Sequence, residues 1–329
     1  MKLALSLPGI PAETIETVEF YRSDCEILPR IGETTVVTDP FRLPRDADVV
    51  FSWWWDRSLV AAVMTRLRMR APLVVTGASD VGNPVGLRPE RAMVKNCAAR
   101  LTASLAHANV AVSHVEASRV RRWRFPRVQV VPLAVDTEYF RPTGVQERDP
   151  FLLLTVLHLN HRSVERKGLL HVIDALERCD DRRFRLVVVG EDQGAASSVS
   201  RYAETHGVAD RVRLTGRIPR PEKRALLWSA GLYVQISAYE GFGYAVAEAM
   251  AAGCPTVTSS RGSLPEVTGG SAYAYADTSV ALAQAMTRAE ADRDGLQRAA
   301  DATLARVTEE LSFERREQRL KSLFGMVLG

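Results

Sequence analysis

At 329 residues, 46% of them apolar, the chain is long enough for two compact cores. A net charge of +4 is too small to imply a nucleic-acid partner, and no run of eighteen or more apolar residues offers a membrane-spanning helix. Cys25, Cys97, Cys179 and Cys254 are far apart, with neither metal-ligand spacing nor a redox pair, and read as reduced thiols.

Residues 2–7 read as a first strand rather than a secretory signal, 8–11 as its turn and 12–21 as a helix. Residues 25–28 and 34–37 have the pattern of short strands, and 48–52 that of a buried parallel strand running into Trp53, Trp54 and Trp55. Ligands of open α/β sheets sit beyond the carboxyl ends of strands, so Trp53 and Trp55 either fill the core or offer a ring to an acceptor. The strand at 72–76 opens into a polar loop, 77–84, at the same edge; there Asp80 either caps its turn or faces the acceptor. A helix at 88–107, a strand at 109–113, a helix at 115–123 and a strand at 128–132 follow, then a linker at 143–150. Arg119, Arg121, Arg122, Arg124 and Arg127 surround Trp123 and Phe125, while Arg66, Arg68 and Arg70 end the helix that begins near Ser58. Such a surface is either a solvated helix end or a seat for anionic lipid or a phosphorylated acceptor.

The second half alternates more cleanly. Strands are expected near 151–157, 184–189, 211–214, 232–236 and 255–258, and helices near 168–178, 196–206, 221–229, 244–252 and 278–310, with a last helix over 313–328. That alternation implies a doubly wound parallel sheet with its ligand at the carboxyl edge.

Two stretches carry chemistry. An apolar strand, 231–237, leads through Glu240-Gly241-Phe242-Gly243 into a helix that starts at Tyr244 and closes at Gly253 and Pro255. The turn offers unpaired N–H groups and the positive end of a helix dipole, which favour a diphosphate or sugar oxygens. Glu240 stands before it and Glu248 about one turn into the helix, so both can face one ligand, one accepting sugar hydroxyls and the other ribose hydroxyls. The bland alternative is an ordinary strand-to-helix turn. The second stretch, His158 to Gly168, holds Arg162, Arg166 and Lys167. A departing diphosphate needs either a metal or fixed cations, and this loop supplies cations. Asp46 and Asp48 have a metal-like spacing, but they precede their strand, the wrong end for such a site.

Glu240 and Glu248, with seven residues between them and Ala-Met-Ala-Ala-Gly-Cys-Pro-Thr-Val following, resemble the signature of retaining GT-B glycosyltransferases of family four, the group 1 type. The resemblance extends through 130–142, Arg166-Lys167-Gly168, 185–190, 213–218 and 262–267 in the family's order. It implies two doubly wound Rossmann-like domains facing across a cleft: an acceptor side at 1–145, a nucleotide-sugar side at 146–311, and a helix at 312–329 crossing back. It implies transfer of a hexose from a nucleotide-diphosphate sugar to a hydroxyl with retained configuration, without metal or separate cofactor. Glu240, Lys167 and Arg162 would be catalytic. His158, Arg166, Gly190, Arg217, Ile218, Gly241, Phe242, Gly243, Tyr244 and Glu248 would hold the donor, and Asp80, Trp53 and Trp55 are acceptor-side candidates. Arg220 stands where a carboxylate would suit guanine, which favours a uridine nucleotide. His158 occupies a position that relatives give to arginine, and Leu133-Ala134 one they give to Asn-Gly. The expected partners are the donor and a carbohydrate, lipid-linked or small-molecule acceptor, with no nucleic acid, in a cytoplasmic protein that is either free or peripheral to the inner membrane face through its first domain. A nucleotide-sugar epimerase and a donor-binding protein without catalysis are the alternatives.

Overall fold

The structure, a computed structural model, describes residues 1–69, 71–77, 89–144 and 147–329. Asp80 and Arg70 lie outside them. The chain divides into two compact units, Met1–Val135 with Glu310–Gly329, and Asp136–Glu309.

The first unit runs β1 (Lys2–Ser6), α1 (Ala12–Thr17), α2 (Glu19–Ile31), β2 (Glu33–Val37), β3 (Val49–Trp53), α3 (Leu59–Arg68), β4 (Leu73–Gly77), α4 (Pro89–Leu105), β5 (Ala108–Ala111), α5 (His114–Arg122) and β6 (Val128–Val130). Its parallel strands lie in the order β2-β1-β3-β4-β5-β6. Residues 25–28 are helical rather than extended. Tyr21, Asp24 and Leu28 recur at helical spacing and are buried, so the apolar run there is one stripe of α2.

Of the two readings of Trp53, which ends β3, and Trp55, which follows it, the structure shows the core one, so neither is placed as an acceptor residue. Trp53 is 0% exposed with its ring N–H donated to Asp24 at 2.9 Å, and Trp55 is 2% exposed with its N–H donated to Asn109 at 2.9 Å. A buried indole needs a partner for that one donor, and each has found it inside the first unit, on α2 for Trp53 and on β5 for Trp55. Much of the expected basic, aromatic surface is structural too. Phe125 is buried, Arg121 donates to the Val128 carbonyl at 3.1 Å, and Arg127 donates to the carbonyls of Ser104 and Ala106. The Cys25 and Cys254 thiols are pushed up to about 11, chiefly by burial.

The second unit runs α6 (Thr137–Phe140), β7 (Asp149–Val156), α7 (His161–Arg166), α8 (Leu169–Arg178), β8 (Arg185–Val189), α9 (Ala196–Thr205), β9 (Val212–Leu214), α10 (Arg220–Ser229), β10 (Ala230–Gln235), α11 (Tyr244–Ala251), β11 (Thr256–Thr258), α12 (Leu264–Thr268), β12 (Ala274–Tyr275), α13 (Ser279–Ala291) and most of α14 (Arg293–Glu310). Its parallel order, β12-β11-β10-β7-β8-β9, reverses between β10 and β7. The unit begins at Asp136, before the linker read from sequence, because α6 docks on α10. Trp228 donates to the Phe140 carbonyl at 2.8 Å, Arg220 pairs with Asp136 at 3.0 Å, and the Arg220 guanidinium lies 3.6 Å from the Tyr139 ring centroid.

The last helix, α15 (Phe313–Leu328), belongs to the first unit. Arg316, 1% exposed, grips the Asp24 carboxylate with Nε at 2.7 Å and Nη2 at 3.0 Å, and its Nη1 donates to the Pro132 carbonyl at 2.7 Å. Asp24 also accepts the Trp53 N–H, so one buried carboxylate joins α2, β3 and α15. Among the described residues, no helix is long and apolar enough to cross a membrane.

Candidate functional site in the second unit

In a doubly wound sheet the two strands flanking the reversal send their following loops to opposite faces, which opens a crevice at their carboxyl ends. Here those strands are β7, ending at Val156, and β10, ending at Gln235. The loop after β7 carries His158 and leads through α7 to Arg166 and Lys167. The loop after β10 carries Ser237 and Glu240.

Those loops converge on one carboxylate oxygen. Glu240 Oε1 accepts from Gln235 Nε2 at 3.0 Å and Ser237 Oγ at 3.2 Å, and meets Arg166 Nη1 at 3.0 Å and Lys167 Nζ at 3.7 Å. Tyr233 donates to Gln235 Oε1 at 3.0 Å, and Gln235 also donates to Ser237 Oγ at 3.1 Å, so the strand end is fixed by a relay of side chains on one face of β10. The Glu240 backbone is held as well, its carbonyl accepting Ser263 N–H at 3.0 Å and Ser263 Oγ at 3.1 Å.

Lys167 donates to the Val156 carbonyl at 3.3 Å, at the end of β7. Burial lowers its pKa from the ordinary lysine value; Glu240 is the largest opposing influence, Arg166 adds to the lowering, and Glu248 also opposes it. Both carboxylates therefore act on the same ammonium. Glu248, 2% exposed, is held through its Oε1 by Lys223 Nζ of α10 at 2.7 Å.

The glycine turn is built as its sequence implies. Gly243, at φ 95°, caps α11, and a Cβ there would stand 2.6 Å from Leu264 Cδ2. Phe242 is buried, while Gly241 and Tyr244 are half-buried. The N–H groups of the first turn of α11 begin at Tyr244, after the three turn residues (241–243) that follow the anchored Glu240.

The remaining predicted residues lie around this edge. His158 is exposed, yet partial desolvation, Lys167 and Arg217 lower its pKa against the opposing charge of Glu191. Gly190, which follows β8, donates its N–H to the Gly216 carbonyl at 3.1 Å. Arg217 is exposed and Ile218 half-buried. Arg162 sits in the first turn of α7, half-buried; the guanidinium on Glu240 is that of Arg166. Sequence reasoning passed over Gln235, Ser237 and Lys223. A glutamine ending a strand of otherwise apolar residues is the signal for the first, since a buried amide demands partners.

A family model described as glycosyl transferases group 1 matches residues 138–304, and one described as glycosyltransferase family 4 matches residues 33–139. MMP alpha-(1->4)-mannosyltransferase from Mycolicibacterium hassiacum is 28% identical over 257 residues, 74% of this chain and 52% of that protein. One subunit of the phosphatidylinositol N-acetylglucosaminyltransferase from Arabidopsis thaliana is 30% identical over 202 residues, 60% of this chain and 41% of that protein. The chain thus spans about half, or less, of the length of these curated relatives. Among solved structures, sucrose-phosphate synthase from Thermosynechococcus elongatus superposes with a TM-score of 0.78 at 17% identity, over 99% of both chains. HepE from Anabaena in complex with UDP superposes at 0.77 with 17% identity, again over 99% of both. At that identity the likeness shows the shared fold.

Proposed function

The chain belongs to the glycosyl transferases group 1 family and has the GT-B fold class, and from that premise we propose that it moves a sugar from a nucleotide-diphosphate sugar to a hydroxyl acceptor with retained configuration and without a metal. The observation that carries this reading is the pair of cations, Arg166 and Lys167, set against the single carboxylate Glu240 at the sheet's reversal point. Two positive charges against one negative leave a surplus suited to a diphosphate, beside the N–H groups that open α11. Lys223 offsets Glu248, so the surplus is not cancelled by the second acid.

In the reaction, the bond from the sugar's anomeric carbon to the diphosphate oxygen breaks with its electron pair going to that oxygen, a bond to the acceptor oxygen forms, and the acceptor proton passes to the departing diphosphate. Lys167 and Arg166 stabilise the charge that grows on the diphosphate. Glu240, positioned by Gln235 and Ser237, accepts sugar hydroxyls; Glu248 accepts ribose hydroxyls. Fixed cations do what a divalent ion does elsewhere, and turnover should persist in excess chelator.

A uridine nucleotide fits best, because Arg220 rather than a carboxylate follows Ile218 and is committed to Asp136 and Tyr139. A specific observation favours a second donor: a relative from Xanthomonas oryzae, 31% identical over 130 residues, is named for GDP-mannose as its donor. Names of the relatives in Arabidopsis and Xanthomonas also specify phosphatidylinositol and a diphosphopolyprenol-linked glycan, which makes a phosphate-bearing acceptor the class to try first. A thermal-shift panel of UDP, GDP and their sugars, followed by acceptor-dependent release of the diphosphate, tests the reading. If no nucleotide diphosphate stabilises the protein, the donor site is wrong. If an isomer of the donor forms without acceptor, the protein is an epimerase.

A further inference from the structure

Away from that site, the first unit holds a cavity of about 300 Å³ lined by Arg66, Ser104, Leu105, Ala106, His107 and Arg127. It lies at the amino-terminal edge of the first unit's sheet: His107 immediately precedes β5, and its Nδ1 accepts the backbone N–H of Leu73, the first residue of β4. The volume is at the lower end of those that hold small ligands, about 300–1,000 Å³.

The lining is one-sided in charge. Arg66 and Arg127 are permanent cations, and among the described residues no carboxylate lines the cavity. The Leu73 N–H occupies Nδ1 of His107, so the neutral ring carries its proton on Nε2 as a donor. Burial, Arg127 and Arg66, in that order, lower the pKa of His107. Arg127 uses Nε and Nη2 on the carbonyls of Ser104 and Ala106 at the end of α4; Nη1 takes no partner among the described residues.

Arg127 is also held there at a conformational cost. Arg124 and Arg127 have φ of 61° and 49°, a region non-glycine residues seldom enter. The turn between them is pinned by Asn109, whose Nδ2 donates to the Pro126 carbonyl at 2.8 Å and whose N–H donates to the Arg127 carbonyl at 3.0 Å. Asn109 is fixed in turn by the Trp55 N–H. A hydrogen-bonded network thus holds Arg127 in the wall of a pocket that Arg66 and the His107 ring also line.

We infer that this cavity binds a phosphate group, free or as the head of a phosphomonoester, between Arg66, Arg127 and His107 Nε2–H. Two guanidinium groups and a neutral donor match the charge and acceptor count of a phosphate. The neighbouring faces of α3 and α4 expose Val63, Leu67, Val94 and Leu101, so the phosphate could be soluble or borne by a lipid.

The test is a phosphate titration of the full chain followed by nitrogen-detected NMR of the histidine rings, with His107 assigned through His107→Gln. His107 should shift saturably with inorganic phosphate, and Arg66→Gln, an exposed position, should weaken that response about tenfold while His158, which reports on the donor site, responds as before. A second arm sediments the protein with phosphatidic acid vesicles and with phosphatidylcholine vesicles. Binding to the first alone, competed by phosphate and weakened by Arg66→Gln, identifies a lipid source; a histidine response without vesicle binding identifies a soluble phosphate ester. A His107 signal unmoved by millimolar phosphate, or moved equally in Arg66→Gln, overturns the inference.

Discussion

Lys167 is the residue at which stability and the proposed chemistry pull apart. Burial disfavours its charged form, so the unfolded chain holds that proton more tightly than the folded one, and the penalty is full below the lowered folded value. It is relieved as pH rises through the lowered folded value toward the ordinary 10.5. Lys167→Met keeps the length of the side chain and removes the charge. The variant should be as stable as the parent at neutral pH, or more so, and denaturant titrations should show the parent gaining on it as pH approaches 10.5. Its affinity for a nucleotide diphosphate should fall about 10–100-fold, the worth of one charged hydrogen bond of about 1.5–3 kcal/mol. An unchanged affinity would remove Lys167 from the donor site. Glu240→Gln tests the other side of the pair. It keeps an acceptor for Gln235 and Ser237 but leaves Arg166 and Lys167 without their carboxylate, and should cost about 1–3 kcal/mol of unfolding free energy.

At the scale of elements, strand ends carry the close tolerances. Gly190 follows β8 at φ 150°, and a Cβ there would fall 1.7 Å from the Leu157 carbonyl oxygen, at the start of the loop that holds His158. Backbone on both sides leaves nothing flexible to give way, so Gly190→Ala should cost about 3 kcal/mol or more in chemical denaturation and weaken nucleotide binding with it. The docking of α15 combines an apolar stripe, Phe313, Leu320, Leu323 and Phe324, with the buried Arg316–Asp24 ion pair. Arg316→Met should cost about 3–5 kcal/mol by leaving Asp24 charged and unpaired, and Asp24→Asn in the same chain should recover part of that loss; no recovery would mean that Arg316 acts through packing alone. These same elements mark how far the sequence is readable. The Glu240 turn and Glu248 stand out because glycines, carboxylates and a short apolar helix occur together in few other contexts. Residues 25–28 mislead because four residues of mixed polarity fit a strand as well as one stripe of α2, and Pro29 falls in that helix's last turn. The charged stretch after β7 hides α7, whose start is signalled only by Asn160 accepting the Ser163 N–H. Trp53 and Trp55 lean towards the core from sequence, and what fixes them there, the acceptance of their N–H groups by Asp24 and Asn109, is distant in the chain and so not legible in it.

At the scale of the whole molecule, each unit has its own parallel sheet and its own buried cluster, and the first is completed by the chain's last helix. A nucleotide that binds only the folded second unit stabilises that unit by RT ln(1 + [L]/Kd), about 2.7 kcal/mol at a hundredfold excess over Kd. The placement of tryptophan makes this separable by spectroscopy: Trp53, Trp54, Trp55 and Trp123 lie in the first unit and Trp228 in the second. Tryptophan fluorescence therefore reports mainly the first unit, whereas far-ultraviolet circular dichroism reports the helices of both. On heating with a nucleotide diphosphate, the dichroism transition should broaden or split as its second-unit component moves upward, while the fluorescence transition stays where it was. Arg316→Met should do the reverse, lowering the fluorescence midpoint and leaving the ligand-dependent component in place. If nucleotide moves both signals together by the same interval, the two units unfold as one cooperative body, and the proposed division of labour between a second unit that takes the donor and a first unit completed by α15 fails at the level of energetics.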